Sequence, residues 1–449
     1  MSIKNALLLF GAISAFVIGN RYPVYAEEKP VIKGANMAAA RTELHAQEPT
    51  GIITLREALT YGLLNNPELK AFSLEKRAKD ALALQAGFLP NPEVAVEAEN
   101  LAGSGPFTGL EQTETTLQLS QLIELAGKRL KRKRVASLES DLAVWDYEVK
   151  KLDISLLIAK AFIDVLTSQR RLVLMNESTS LAGQVFNTVA QRVKAGKVSP
   201  VEEIKAGVIL STARIELNRA KRELAAAMKK LANLWGSDSP KFESVSGKLE
   251  KLVPLPPEKD LANRIFDNPD IARFPVEKEH RSARVELEKA RKTPDLTVGG
   301  GIRSFNETND SALVMGVSIP IPVFNRNKGE IAAAEYDLLK VREERRAVEL
   351  RIKAELAESY MSLSASFVEA STLKNNVLPG AQKAFEATRE GYLQGKFGFL
   401  DVLDSQRTLF EVRGQYINAL ASNHKAVADV ERLIGGSIIS VNSGVKEVE

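Results

Sequence analysis

Hydrophobic and polar residues alternate with a period of two in residues 93–123 and again in residues 295–319, and follow a helical period almost everywhere else. In the first region, for example, Val94 and Val96 alternate with Ala95, Glu97 and Glu99. Such alternation is typical of strands about ten residues long with one apolar face. Each region therefore predicts a β-hairpin, which either faces lipid on its apolar side or is half-buried in a soluble domain.

Helical periodicity begins at Thr54, and its spacing to Glu57 is that of a capping box. A very long helical stretch follows each predicted hairpin. From about Lys128 to Ala195 the chain has no proline, and a helix of that length spans on the order of 100 Å. Apolar residues step along it by four and three, which predicts a coiled-coil seam and long antiparallel helix pairs. The predicted seam comprises Leu138, Leu142, Trp145, Val149, Leu152, Leu156, Ala159, Ile163 and Leu166.

The two halves of the chain are copies of one unit. Residues 186–236 match residues 385–435 without a gap, and Asn66-Pro67 recurs as Asn268-Pro269. Each copy predicts a helix, a tip that contains glycine, and a second helix that runs back. The predicted segments are a signal peptide (1–26), a flexible N-terminal lead (27–53), a first repeat (54–239, tip about 196–200), a proline-rich linker (240–258), a second repeat (259–436, tip about 395–399) and a disordered tail (437–449).

The first residues of the chain predict export. Lys4 precedes the apolar run 6–19, and residues 24–26 resemble a small-residue cleavage site. The run is shorter than the roughly 20 apolar residues that a membrane-spanning helix needs. We therefore predict a cleaved signal peptide, which leaves the periplasm, the outside of the cell, or an outer membrane crossed by strands.

Four strands alone cannot close a barrel, and an open strand edge is not tolerated in lipid. If the hairpins meet the membrane, the sequence predicts that several copies of the chain share one barrel. A half-buried soluble hairpin remains the alternative.

Charge and rare residues narrow the chemistry. The 61 basic and 57 acidic residues nearly balance, so nothing in the composition demands nucleic acid as a partner. The absence of cysteine excludes disulfides, thiolate metal sites, a cysteine nucleophile and a lipid anchor on cysteine. We find no phosphate-binding loop, nucleophile elbow or metal-ligand cluster, and we predict no enzyme and no cofactor. His424 is predicted to be a packed core histidine.

The tips are the first candidate site. Ser199-Pro200 predicts a helix start after the first tip, and the second tip has a cluster of aromatic, apolar and acidic residues. Exposed aromatic residues at a remote tip suggest a docking surface. Asp401 and Asp404 lie three apart on one helix face. They are either a solvated face near a helix N-terminus or, in a symmetric assembly, acidic rings at a constriction.

The second candidate site is a basic cluster directly after the first hairpin, formed by Lys128, Arg129, Lys131 and Arg132. Nucleic-acid binding conflicts with the predicted export. The cluster therefore predicts either a solvated helix start or contact with lipid headgroups.

Taken together, the signal peptide, the duplicated halves, the hairpins and the long helices resemble the TolC-type outer-membrane efflux factors. The resemblance is most specific in NNPEL at 65–69, GYLQGKFGFLDVLDSQRTL at 391–409 and SIPIPVFNRNKGE at 318–330. The last of these is similar to the branch that serves cobalt–zinc–cadmium resistance pumps. The resemblance to the family implies a mainly α fold with membrane β-structure. In that fold, three chains form a barrel of twelve strands above a periplasmic tunnel of antiparallel coiled-coil helices. The implied partners are a periplasmic adaptor (membrane fusion protein) and an inner-membrane pump of the resistance–nodulation–division type.

The resemblance also implies residue roles. Asp401 and Asp404 match acidic residues at the tunnel constriction, and Tyr392 and Glu202 fall where closed-state contacts occur. The basic residue that helps to lock some family members falls at Phe397. The implied adaptor contacts are Arg192, Gly196, Val198, Ser199, Glu202, Arg389, Tyr392, Gly395, Phe397, Phe399 and Leu400.

These observations predict a passive trimeric exit duct in the outer membrane for heavy-metal cations. A duct for multidrug or type I protein export is an alternative of the same class. An exported coiled-coil structural protein without a pore is an alternative of another class.

Overall fold

The computed structural model describes residues 48–438. The predicted signal peptide, most of the predicted lead and most of the predicted tail therefore lie outside the described residues. The helices are α1 (Leu55–Asn65), α2 (Pro67–Ala86), α3 (Lys128–Lys194), α4 (Pro200–Asn233), α5 (Glu258–Arg264), α6 (Pro269–Ala272), α7 (Phe274–Arg291), α8 (Lys328–Thr372), α9 (Leu378–Leu393) and α10 (Phe399–Ile434). The strands are β1 (Gly51–Thr54), β2 (Glu93–Glu99), β3 (Glu114–Ile123), β4 (Phe242–Ser246), β5 (Leu296–Phe305) and β6 (Asp310–Ser318). Within this part of the chain, none of the helices combines the length and the hydropathy that crossing a membrane requires.

Helix α3 is the longest element, with 67 residues, and the core is built around it. Its residues Ile154, Ile158 and Val165 are buried together with Trp235 at the end of α4 and Leu420 of α10. The long helices follow one another through short tips and so run antiparallel. The predicted fold class, mainly helical with four strands in two hairpins, is confirmed.

The buried stripe of α3 differs from the predicted seam. Leu138 and Leu142 are buried as predicted, but Val149 and Leu156 are only half-buried, and the chain buries Ile154 in their place. Because α3 packs against α2, α4, α7 and α10 on different sides, it has no single seam.

The two halves differ in the continuity of their long helices. Helix α3 runs unbroken to the first tip, whereas a π-helical turn, Leu373–Val377, separates α8 from α9. Pro379 follows in the first turn of α9. Because proline removes a backbone donor and a π turn replaces the α-helical pattern of bonds, this point interrupts the second rod.

Strands β2, β3, β5 and β6 form one antiparallel sheet in that order. One row across it joins Val96, Leu117, Ile302 and Leu313, and all four side chains are exposed. The apolar face of the sheet therefore has no cover within the described chain. Strands β2 and β6 each have a partner on one side only, so both edges of the sheet are open.

The opposite face of the sheet is polar. Arg303 of β5 donates hydrogen bonds to Thr116 (Nε to Oγ1, 2.9 Å) and Glu114 (Nη1 to Oε2, 3.0 Å) of β3. Its Nη2 also lies 3.0 Å from a carboxylate oxygen of Glu99 on β2. The guanidinium of Arg303 thus links three neighbouring strands. It also pairs with the carboxylates of Glu99 and Glu114, which would otherwise lie unpaired on the sheet surface.

A second sheet was not predicted. Strand β1 pairs in parallel with β4, with Ile53 opposite Val245, and both side chains are buried. Strand β1 includes the last three residues of the predicted lead (27–53), and β4 lies within the predicted linker (240–258), so both segments contain regular structure that was not predicted. Strands of four and five residues are too short for their alternation to be recognised in the sequence.

The repeated asparagines hold the two ends of each half together. Asn66 donates to the carbonyl oxygen of Leu234 (2.6 Å), and Asn268 donates to the carbonyl oxygen of Leu433 (3.0 Å). Each side-chain oxygen also accepts an N–H at the start of the next helix, α2 or α6. One side chain therefore caps a helix N-terminus and satisfies an orphan carbonyl at the end of the returning helix.

Candidate functional site

Each long hairpin ends in a five-residue tip with the same backbone geometry. The N–H of Lys197 donates to the carbonyl oxygen of Arg192 (2.9 Å), and the N–H of Lys396 donates to that of Gly391 (2.8 Å). Gly196 and Gly395 have φ angles of 68° and 76°, which L-residues with a side chain rarely adopt. Both tips are thus helix C-caps of the Schellman type.

The helices that leave the tips are capped in different ways. The hydroxyl of Ser199 accepts a hydrogen bond from the N–H of Val201 at the start of α4 (3.3 Å). At the start of α10, a carboxylate oxygen of Asp401 accepts from the N–H of Gly398 (2.8 Å). Asp401 is therefore a helix cap, which leaves its second carboxylate oxygen for other partners.

The two tips share a small hydrophobic core. Phe385, Tyr392 and Phe399 of the second hairpin are buried with Val189 and Ala206 of the first. Tyr392 is 8% exposed and Phe399 is 4% exposed, so the prediction that the tip aromatics form an exposed docking surface is wrong for these two. They are buried because the second hairpin packs its tip against the first.

An arginine joins the two tips at their surface. The guanidinium of Arg192 lies over the ring of Tyr392, 4.4 Å from its centroid. Its Nη1 also donates to the carbonyl oxygen of Tyr392 (3.2 Å). Arg192 was predicted as an adaptor contact, and the structure gives it this contact between the hairpins as well.

The ring of Phe397 packs on a glycine. A side chain at Gly391 would bring its Cβ within 2.1 Å of that ring. Gly391 thus provides the space that the ring of Phe397 occupies. Phe397 stands at the position where the resemblance implies a basic residue in some relatives. Phe397 remains 48% exposed, and its neighbour Leu400 is 62% exposed.

Three polar atoms at the tips are buried without a hydrogen-bond partner among the described residues. They are the hydroxyl of Tyr392, Oε2 of Glu202 and Oε1 of Gln406. Two of them belong to the residues for which closed-state contacts were predicted. A buried polar atom without a partner is costly, so these atoms favour any arrangement of the tips that supplies partners.

The remaining predicted tip residues lie at the surface. Asp404 is exposed and 3.5 Å from Arg407 of the same helix. Asp401 and Arg389 are exposed, while Val198 is half-buried. The second tip therefore presents two carboxylates and an apolar pair to solvent.

The predicted basic cluster has a different environment from the one we expected. Lys128 is buried and lies 2.7 Å from Asp295, and Lys131 lies 3.6 Å from Glu286. Arg132 binds both carboxylate oxygens of Glu124. Lys128 is thus not part of a solvated helix start, because its side chain is buried and paired with an acidic residue. For the half-buried Lys131 and Arg132, contact with lipid headgroups stays a prediction.

The pairs of the basic cluster join the sheet to the helices. Arg132 on α3 also donates to the carbonyl oxygens of Ala86 and Phe88, at the end of α2. The hydrogen bond to Glu124 raises the pKa of Arg132. Arg129, the fourth member of the cluster, is half-buried. The cluster thus holds the start of α3 against the end of α2 and against the residues next to strands β3 and β5.

Among the described residues, no group of three or more histidines and acidic residues is placed to hold a metal ion. His424, which was predicted to be a packed core residue, is half-buried with its Nε2 2.8 Å from the carbonyl oxygen of Leu249.

Comparison with known proteins identifies the family. The profile of the family described as outer membrane efflux protein matches residues 60–237 and 265–436. The chain is 35% identical over 389 residues to the cobalt-zinc-cadmium resistance protein CzcC of Cupriavidus metallidurans, which covers 87% of this chain and 91% of that protein. It is 25% identical over 292 residues to the nickel-cobalt-cadmium resistance protein NccC of Alcaligenes xylosoxydans, which covers 64% of this chain and 66% of that protein.

Solved structures share the fold. The structure of CusC superposes with a TM-score of 0.69 at 18% identity and covers 88% of this chain and 96% of that one. The open state of the Neisseria gonorrhoeae MtrE outer membrane channel superposes with a TM-score of 0.69 at 16% identity and covers 86% of this chain and 89% of that one. With the family profile matched in both halves of the chain, the predicted resemblance is confirmed, and the chain belongs to the outer membrane efflux protein family.

Proposed function

We propose that this chain is the outer-membrane channel of a heavy-metal efflux system, in which three copies work with a periplasmic adaptor and an inner-membrane pump of the resistance–nodulation–division type. The observation that carries the proposal is the alignment with a cobalt-zinc-cadmium resistance protein over 87% of the chain. The channel is a passive duct in a family of channels rather than of enzymes, and the pump supplies the energy.

The sheet supports a place in the outer membrane. Its apolar face is exposed, with Val96 at 70% and Met315 at 81%, and no part of the described chain covers it. Four antiparallel strands with two open edges can continue into a neighbouring copy, and three copies give twelve strands in one closed barrel (four strands per chain). The long helices then extend into the periplasm as a tunnel.

The tips support a cation entrance. Asp401 and Asp404 are exposed at the start of α10, so a trimer would gather six such carboxylates (two per chain) at the narrow end. Rings of carboxylates attract cations and repel one another, which favours a constriction that cations can occupy and an adaptor can open. The adaptor would dock on both tips, at the residues between Arg192 and Glu202 and between Arg389 and Asp401.

Deletion of the gene in its host, followed by growth on graded zinc, cobalt, cadmium, nickel and copper, tests the substrate class. We expect tolerance to fall for one or more of these metals and to return with a plasmid copy. Loss of tolerance to organic compounds alone, with every metal unaffected, would instead support a duct for small organic molecules.

The acidic entrance has a test of its own. Replacing Asp401 and Asp404 together by asparagine keeps an oxygen to cap α10 but removes both charges. We expect weaker block of single-channel current by divalent cations in planar bilayers. Glu203→Gln at the first tip, which removes a carboxylate from the start of α4, is the control. Unchanged block in the aspartate variant would remove these two residues from the role.

A further inference from the structure

Large apolar side chains remain exposed where the chain leaves β6. Strand β6 ends at Ser318 and α8 begins at Lys328, and we call residues 319–327 between them the β6–α8 linker. Its apolar side chains are exposed, from 52% for the first to 99% for the last. They are Ile319, Ile321, Val323 and Phe324. A contiguous apolar patch of this kind marks a surface that contacts something outside the chain.

The linker has a backbone of its own and does not extend the sheet. Pro320 and Pro322 have no N–H to donate to a neighbouring strand, so the hydrogen-bond ladder of β6 cannot continue through them. The N–H of Val323 donates to the carbonyl oxygen of Ile321 (2.9 Å), which closes a tight turn. Because β6 holds one end of the linker and α8 the other, the apolar side chains are presented at a fixed place on the surface.

The same junction in the first half of the chain has the opposite chemistry. Gly127 and Asn327 both have a left-handed backbone directly before a long helix, so position 124 corresponds to position 324. The carboxylate of Glu124 binds Arg132 of the protein, whereas Phe324 is exposed. The first junction is thus turned towards the protein and the second towards its surroundings.

The lysines that begin the two long helices differ in the same way. Lys128 is buried and lies 2.7 Å from Asp295, whereas Lys328 is exposed. Arg326, two positions earlier, is exposed as well. The second junction therefore presents apolar side chains followed directly by two cations.

The place of the linker in the fold gives its level relative to the membrane. Leu313, Met315 and Val317 are exposed along β6, on the face that the proposed function places against lipid. The linker continues from this row towards the helices, which the same proposal places in the periplasm. It therefore lies where the hydrocarbon core meets the headgroups of the periplasmic leaflet. Apolar side chains with cations beyond them can bury their surface among acyl chains there and pair with phosphate groups.

We propose that the β6–α8 linker inserts into the periplasmic leaflet of the outer membrane and binds its phospholipids. Ile321 and Phe324 contact the acyl chains, and Arg326 and Lys328 pair with the phosphate groups. The inference rests on the proposed outer-membrane channel and adds a lipid-binding segment that the first half of the repeat lacks. Three copies then place three such segments around one barrel.

The natural absence of cysteine allows the surroundings of single positions to be measured. Phe324→Cys in the full-length protein is labelled with a nitroxide and reconstituted in vesicles of phosphatidylethanolamine and phosphatidylglycerol. Oxygen concentrates in the hydrocarbon and a nickel chelate stays in water, so electron paramagnetic resonance with each reagent shows what the label meets. We expect the label at position 324 to collide more with oxygen than with the nickel chelate. The side chain is almost fully exposed, so its replacement leaves no cavity.

Two further labelled variants are the matched controls. Met315→Cys, at an exposed position of β6, reports on the sheet and should collide mainly with oxygen. Phe266→Cys replaces another exposed phenylalanine, between α5 and α6, and should collide mainly with the nickel chelate.

The labels separate the linker from the channel. If the label at position 324 meets the nickel chelate or neither reagent while the label at position 315 meets oxygen, the lipid contact is overturned and the channel stands. A label at position 315 that meets the nickel chelate would overturn the outer-membrane barrel itself.

Neutralising the two cations tests the contact with headgroups. Arg326→Gln with Lys328→Gln should lower the fraction of spin-labelled phosphatidylglycerol that is immobilised next to the protein, because glutamine carries no charge to pair with phosphate. Lys221→Gln with Lys229→Gln removes two exposed lysines of α4 and should leave that fraction unchanged. An equal fraction in the two double variants would contradict the pairing with headgroups.

Discussion

The two helical hairpins descend from one repeated unit, yet they differ in the continuity of their first helices and in the residues at their tips. In the first hairpin α3 is an unbroken rod of 67 residues. In the second, the π turn at Leu373–Val377 and Pro379 interrupt the matching rod. At the tips, the position that carries Arg192 in the first hairpin carries Gly391 in the second. Duplication thus supplied the architecture, and later divergence left the first hairpin with a continuous rod and the second with an interrupted one.

The largest expected effect comes from the residue that closes the second half. Asn268 is fully buried and holds the end of α10, so Asn268→Ala should lower the free energy of unfolding by about 2–4 kcal/mol. Asn66→Ala should cost slightly less, because that side chain keeps a little exposure. Thermal unfolding followed by circular dichroism would measure both. Asn375→Ala, at an exposed asparagine in the π turn, is the matched control and should change little.

The glycine beneath Phe397 comes next. Gly391→Ala brings a methyl group into the ring of Phe397 and should destabilise the second tip by about 1–3 kcal/mol. Limited proteolysis at the tip would detect the loosening. Gly414→Ala, on a helix of the same hairpin with open space around the new Cβ, should stabilise the helix by up to about 1 kcal/mol. Equal behaviour of the two variants would contradict the packing role of Gly391.

Loss of the contact that Arg192 makes between the hairpins should lower the free energy of unfolding by less, and should change the single-channel conductance. Arg192→Ala removes the stacking on Tyr392 and one hydrogen bond, worth about 1–2 kcal/mol together. We expect a higher single-channel conductance because the second tip is released. Tyr392→Phe keeps the ring and the main-chain carbonyl and removes only a hydroxyl that has no hydrogen-bond partner in the part of the chain that the structure describes, so its conductance should match that of the wild type. Higher conductance in that variant would assign the contact to the hydroxyl.

The smallest expected effect concerns the N-terminal capping of the first helix in each half, α1 and α5. Hydrogen bonds from Thr54 to the carboxylate of Glu57 hold the pKa of Glu57 below its ordinary value of 4.5, whereas α5 begins without a side-chain cap. A carboxyl whose pKa is lowered by folding stabilises the fold above its unfolded pKa, and this contribution is lost as the pH falls through the folded pKa. Glu57→Gln should therefore unfold at a slightly lower temperature than the wild type at neutral pH and match it in acid. Glu258→Gln at the start of α5, a helix that begins without a side-chain cap, is the control and should unfold at the wild-type temperature at neutral pH.

The sequence was most informative where the environment is uniform along an element. The alternation around Val96 and Met315 predicts the strands because one face of each strand has the same surroundings throughout. The gap-free repeat likewise predicts two hairpins with glycine tips. In both cases the signal is local, so a single sequence is enough.

What the sequence could not show depends on contacts between distant parts of the chain. Tyr392 and Phe399 are buried by a hairpin about two hundred positions away, and no local pattern marks them as core. Lys128 looks like a solvated charge until Asp295 is placed beside it. The seam of α3 failed for the same reason, since the helix has neighbours on several sides.

The π turn has a genetic consequence. Such a turn accommodates one residue more than the α-helical pattern allows, so loss of a single codon near Asn375 would restore an ordinary helix there. Because the π turn absorbs that residue, its removal would leave everything between that point and Gly395 facing the same way about the helix axis, whereas loss of one codon within the unbroken α3 would turn everything beyond it by about 100°. One in-frame deletion at the π turn would thus leave the direction of the second tip unchanged, whereas the same deletion in α3 would turn the first tip.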